Sequence, residues 1–217
     1  MNSEHEQLKA INDIRHMMER SSRFISLSGL SGIFAGIYAL GGAAAAYLYV
    51  GLEFRTSQYW DAARDSVGNP NIGWYTFFFA NALTVLSLSL ITAFILTYRK
   101  AKKQGAAIWN STAKRLMINM TIPLIAGGIY LLILFLRYHY VEMVAPGMLL
   151  FYGMALLNAS KYTLKEIRYL GISQMVLGLI AFYDVGHGLF YWAVGFGVLH
   201  IVYGGLMWWR YERSPAP

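Results

Sequence analysis

The chain has no cysteine. Disulfides, thiolate zinc sites, iron–sulfur clusters and cysteine nucleophiles are therefore excluded, and the redox compartment has no marker in the sequence. Charge is scarce too: Asp, Glu, Lys and Arg make up 13 % of the 217 residues, against about 25 % in an ordinary soluble domain. None of these four residue types lies near the centre of a predicted span. That disfavours an ion-coupled pump, since such proteins usually keep a carboxylate at depth.

What fills the chain instead is apolar: 57 % of residues are hydrophobic, and they lie in long blocks rather than at periods of 2 or 3.6. Runs of about 18 or more such residues mark membrane spans. The expectation is an all-α membrane protein: a bundle of six transmembrane helices with a short N-terminal amphipathic helix, both termini cytoplasmic. Residues 1–23 read as a cytoplasmic amphipathic segment, 24–210 as the transmembrane domain and 211–217 as a cytoplasmic tail. The predicted spans are about 24–50, 74–97, 116–136, 141–157, 164–183 and 188–209. The first block is too long for a signal-peptide core and is read as a retained helix.

Local patterns fill in this outline. Leu8, Ile11, Ile14 and Met18 have helical spacing, and Ser3 with Glu6 forms a capping box that starts a helix near Glu4. Thr163 and Glu166 repeat that pattern at the start of span 5. In span 1, Ser28, Gly32 and Gly36 recur every four residues, as do Ala35, Ala39 and Ala43. Small faces let helix backbones approach closely in lipid, so span 1 is expected at the centre of the bundle. The stretch GNPNIG between spans 1 and 2 is turn chemistry. Pro123 is expected to kink span 3, and Pro146 and Gly147 stand near the start of span 4. Trp74, Trp192, Trp208 and Trp209 fall at span ends, as in an aromatic belt. Gly36-Ile37-Tyr38 and Gly128-Ile129-Tyr130 form a faint echo of stacked repeats.

The net charge of +7 is a matter of topology. Of the 18 Lys and Arg residues, all but Arg55, Arg64 and Arg137 fall on the side assigned to the cytoplasm, as the positive-inside rule requires. The excess therefore gives no reason to expect nucleic acid. Expected partners are the lipid bilayer, with anionic headgroups at the basic 98–115 loop, and a cytoplasmic protein engaging residues 1–23. Asn110, Asn119 and Asn158 match the glycosylation pattern, but all three fall inside or within the membrane on this topology, so modification is not expected.

The stretches ERSSRFISLSGLSGIFAGIYALGG and NASKYTLKEIRYLG resemble those of an uncharacterised group of bacterial six-span membrane proteins. The resemblance covers most of the chain. It implies the same topology and a bacterial inner (cytoplasmic) membrane, and it carries no activity or catalytic residue.

Three sets of residues are candidates for chemistry. His200 lies midway along span 6 on a stripe with Ala193, Gly197 and Gly204, which leaves room for another helix or for a flat ligand such as haem. Haem needs a second axial ligand at that depth, and the other histidines do not supply one. The expected role is structural, with His200 hydrogen-bonded to Gln174 of span 5. His139 and Glu142 flank one outer turn, and Asp184 and His187 flank another. Two nitrogen and two oxygen ligands suit a divalent metal such as zinc, although turns at a headgroup boundary are polar in any case. Asn81, Thr84 and Ser87 make a polar stripe in span 2 that either bonds to neighbouring helices or lines a solute path. No cofactor is favoured. Three function classes stay open: a small-solute transporter or channel, whose path would use Asn81, Thr84, Ser87, Gln174 and His200; a non-enzymatic membrane sensor or partner protein; and a metal- or haem-binding redox protein.

Overall fold

The structure is a computed structural model that describes residues 5, 24, 27–51, 61–105 and 107–213. The capping pair Ser3 and Glu6 and the apolar stripe from Leu8 to Met18 lie outside the described residues. Among those described, helices account for nearly all regular structure, and the one β feature is an isolated bridge between Arg64 and Pro70. The six long helices are α1 (Gly29–Val50), α2 (Ile72–Lys103), α3 (Ser111–Arg137), α4 (Val144–Ala159), α5 (Lys165–Tyr183) and α6 (Gly188–Tyr211). Short 3-10 turns, Val141–Met143 and Ser160–Tyr162, extend α4 at both ends. Five of the six, all but α5, are long and apolar enough to cross a membrane. The molecule is a helical membrane bundle.

Helix α5 stands apart because Lys165, Glu166 and Arg168 occupy its first turn, which shortens its apolar stretch. Its buried positions, Ile167, Leu170, Gly171, Gln174, Gly178 and Ala181, recur every three or four residues and form one face. That face packs on α4. A Cβ on Gly171 would meet the Gly153 carbonyl at 2.9 Å, and one on Gly178 would meet the Pro146 carbonyl at 3.0 Å. The small residues of α1 work in the same way against α6. A Cβ on Gly29 would lie 2.6 Å from the Gly204 carbonyl, one on Gly32 3.1 Å from Gly204 Cα, and one on Gly36 within 2.6 Å of Ile201. Further along, Gly42 turns to α2, where Asn81 Nδ2 donates to its carbonyl at 3.0 Å.

Two carboxylates tie the helices at the end of the bundle that holds the start of α1 and the finish of α6. Glu212 Oε1 accepts from the Gly29 amide at 2.6 Å and from Lys100 Nζ at 3.1 Å. It thus places negative charge on the N-terminus of α1, where the helix dipole favours it, and links α1, α2 and α6. Glu166 accepts from Arg210 at 3.1 Å and from the Tyr211 hydroxyl at 3.1 Å, joining α5 to α6. Neither role was legible in the spacing. The Thr163–Glu166 pair does not cap α5: the N-cap is Leu164, without a side-chain cap. Thr163 donates to the Phe24 carbonyl at 2.8 Å instead, because the chain before α1 docks there.

Other boundaries shift for local reasons. Phe24 is buried outside any helix, and α1 starts only at Gly29. The basic 98–115 segment is mostly not a loop. Its good helix formers carry α2 on to Lys103, and α3 restarts at Ser111. Asn110 caps α3 by accepting from the Ala113 amide at 2.7 Å. Helix α3 runs on through Pro123 without interruption, and Pro146 lies in the first turn of α4, where a missing N–H costs little. The GNPNIG turn forms as expected: Gly68 takes φ +89, and Asn71 caps α2 by accepting from the Trp74 amide. Trp74 is not a belt residue but is buried with Ala63 and Phe135. Trp209 is exposed, with the Arg213 guanidinium over its ring at 4.6 Å.

Candidate functional site

The middle of α6 reads Ala193-Val-Gly-Phe-Gly-Val-Leu199, in which two glycines weaken the helix. Both glycines are pressed upon. A Cβ on Gly195 would meet Gln174 Oε1 at 2.6 Å, and one on Gly197 would meet Leu40 Cγ at 2.7 Å. Here the helix opens into a π segment, Ala193–Leu199, of the kind often found at functional sites. The Gly195 carbonyl collects two side chains, accepting from Gln174 Nε2 at 2.8 Å and from His200 Nδ1 at 3.0 Å.

That carbonyl fixes the tautomer of a neutral imidazole. A carbonyl only accepts, so Nδ1 carries the proton, and Nε2 of the neutral ring is left to accept from the Tyr152 hydroxyl at 2.8 Å. The ring lies against Tyr152 and Phe196, with centroid distances of 5.4 and 6.0 Å. Tyr152 comes from α4, Gln174 from α5, and Gly195 with His200 from α6, so three helices meet at one buried node. Gln174 is 0 % exposed, and its Oε1 has no hydrogen-bond partner. Among the described residues, the other such buried side-chain atom is Trp74 Nε1. An acceptor left unmade in a dry interior costs about 1–3 kcal/mol.

The structure brings Gln174 and His200 together in a different way from the one expected. They do not bond to each other; each bonds to the Gly195 carbonyl. A flat ligand has no room beside His200, because α1 fills the small-residue face, with Leu40 against Gly197 and Ile33 against Gly204. Haem ligation through Nε2 would also have to displace Tyr152.

The span 2 stripe comes apart. Asn81 bonds to α1, Thr84 is exposed and donates back to the Ala80 carbonyl of its own helix at 2.8 Å, and Ser87 is half-buried. The stripe does not continue into the node. Nor do the four proposed metal ligands assemble, and among the described residues no three His, Asp or Glu side chains form a metal-holding group. His139, Asp184 and His187 have local partners instead. His139 Nδ1 lies 3.4 Å from the Tyr75 hydroxyl, while Asp184 accepts from Tyr191 at 2.7 Å and pairs with His187 at 3.1 Å. These hydrogen bonds, from Tyr191 first and His187 second, hold the Asp184 carboxyl below its ordinary pKa.

Compared with protein-family models, curated proteins and solved structures, the chain matches none. The site therefore has to be read from its own geometry. Sequence spacing pointed to His200 and Gln174. It missed Tyr152 and Gly195, because a tyrosine within an apolar span looks like packing and a glycine shows no polarity of its own.

Proposed function

We propose that the chain is a six-span protein of the bacterial inner membrane, with both termini cytoplasmic. On this reading it is transporter- or channel-like and passes small uncharged polar solutes at the node in α6. The observation that carries the reading is Gln174 Oε1, a wholly buried acceptor without a hydrogen-bond partner beside the π segment of α6. Irregular backbone at membrane depth is tolerated where it is packed in protein or lines a cavity, and broken helices with free polar groups are what transporter sites are built from. The solute is uncharged on this reading because no Asp, Glu, Lys or Arg lies near the middle of a span. In the closed bundle Tyr152 and His200 bond to each other, and a solute donor reaching Gln174 would part them.

Proteoliposomes loaded with buffer and mixed with excess glycerol or urea test this. Re-swelling should be faster than in protein-free vesicles and should fall to the protein-free rate in Gln174→Leu. Equal rates with and without the protein, across both solutes, would sink the proposal.

A second reading, a membrane sensor with a cytoplasmic partner, draws on α2. Its 32 residues make a rod about 48 Å long, well beyond the ~30 Å hydrocarbon core. The overhang carries exposed Arg99, Lys102 and Lys103, a basic surface for protein or headgroups. Co-purification of a cytoplasmic protein that depends on these three residues and on residues 1–20 would favour it.

A further inference from the structure

Helices α2 and α3 are neighbours in sequence, yet their middles are not packed together. They meet at the Trp74 end, where Trp74, Tyr75 and Phe79 surround Phe135 at centroid distances of 6.3, 4.9 and 5.4 Å. Beside this cluster a groove of about 650 Å³ opens between the two helices, walled by Ile72, Phe79, Leu83 and Leu136. Tyr75, Pro70 and His139 line it as well, and the same three line a smaller hollow of about 50 Å³ that also holds Arg64. An apolar groove thus runs into a polar, cationic mouth. His139 turns the chain with φ +58, a conformation few non-glycine residues adopt, and its ring meets the Tyr75 hydroxyl there. Next to Arg64 in the chain, Asp65 Oδ1 accepts from the amides of Val67 and Asn69 at 2.9 and 2.8 Å.

We infer that this groove binds one glycerophospholipid, with an acyl chain along α2 and α3 and the phosphate at Arg64, Tyr75 and His139. The apolar walls belong to two helices long and apolar enough to cross a membrane, so the chemistry that suits them is an alkyl chain. Its mouth lies at the helix ends, where headgroups lie, and an arginine with a tyrosine hydroxyl and an imidazole suits a phosphate diester. Charge and apolar surface are therefore arranged in the order in which a phospholipid presents them.

Native mass spectrometry of the purified protein in detergent tests this, with dioleoyl phosphatidylglycerol and dioleoylglycerol as probes. The wild type should retain one phosphatidylglycerol and markedly less diacylglycerol. Ala80→Phe, which places a ring in the groove, should lose the phospholipid, whereas Leu88→Phe, on the same helix but outside the groove, should keep it. Arg64→Gln with His139→Gln should reduce phosphatidylglycerol to the level of diacylglycerol. A detergent melt unchanged in all variants would show that they fold. The inference is overturned by equal retention of the two lipids by the wild type. Undiminished phospholipid in Ala80→Phe would also overturn it, as would a lipid-free dimer that Ala80→Phe dissociates, since a second copy would then be the occupant.

Discussion

Along the seam between α1 and α6, backbone meets backbone: Gly29, Gly32 and Gly36 on one side face Gly197 and Gly204 on the other. Along α2, by contrast, no residue of the most apolar stretch is buried, whereas 39 % of the corresponding stretch around α4 is. Leu83, Leu90, Ile91 and Phe94 of α2 are all more than half exposed. Both regions are hydrophobic, and the exposed α2 is the more so. What separates them is side-chain size. In lipid there is no hydrophobic gain from helix contact, so association follows from close packing, which small residues allow and large ones prevent. Bulky residues belong to the lipid, glycines to the seam.

The comparison can be broken most directly by enlarging glycines on each side of it. Gly36→Leu should destabilise the protein in detergent by about 1–3 kcal/mol or more, because a Cβ there already collides with the Gly197 carbonyl and Ile201. Gly128→Leu, in the matching Gly-Ile-Tyr triplet of α3, should do nothing of the kind, since a Cβ at Gly128 meets no atom within 4 Å. Melts showing equal losses for the two would refute the division. The same pair of glycines shows that the two triplets are not structural equivalents.

Glu212→Ala should rank second, at about 2 kcal/mol. It strips the cap from α1 and leaves Lys100, only 12 % exposed, without its carboxylate. Glu212→Gln keeps an acceptor for the Gly29 amide and should recover part of the loss. Glu212→Ala matching the wild type would mean that the seam holds without its end clamp.

His200→Phe should cost about 1 kcal/mol, near the upper range for hydrogen bonds in membrane bundles, because Tyr152 and the Gly195 carbonyl each lose a partner. A double-mutant cycle with Tyr152→Phe should show coupling, and strict additivity would disprove the shared node. Leu90→Ala, on the lipid-facing flank, should move the melt by less than about 0.5 kcal/mol.

The smallest effect belongs to the turn before α2. The Asn69 amide above all, helped by those of Val67 and Gly68, holds the Asp65 carboxyl below its usual 3.8. A lowered folded pKa means that the contribution is present above the unfolded value and disappears as the pH falls through the folded one. Stability difference between wild type and Asp65→Ala should therefore be constant at neutral pH and close only below about pH 4. A difference that closes between pH 6 and 8 would implicate another group.

Much of this was legible in the residues because each inference rested on one short-range rule. The long apolar helices followed from block length and the turn from Gly68 and Asn71. The close seam followed from four-residue spacing of small side chains. The site was legible only in part. Gln174 and His200 stand out as polar residues in apolar runs, but the carbonyl they share lies in a π segment whose glycines pack closely against Leu40, Leu149 and Gln174 of neighbouring helices. The four outer His, Asp and Glu residues had the chemistry of a metal site, but His139 meets Tyr75 and Asp184 meets Tyr191 instead.

By itself the sequence determined that this chain is a bundle of apolar helices, and which helix faces are small enough to touch. Those properties depend on composition and on periodicity within one helix. Tertiary structure alone decided that Glu212 caps a helix 183 residues earlier. It likewise decided that Thr163 serves Phe24 rather than α5, and that Tyr152, Gln174 and His200 converge on Gly195. A polar group buried in lipid must find a partner, and which partner it finds is set by which helices lie side by side, not by its neighbours along the chain.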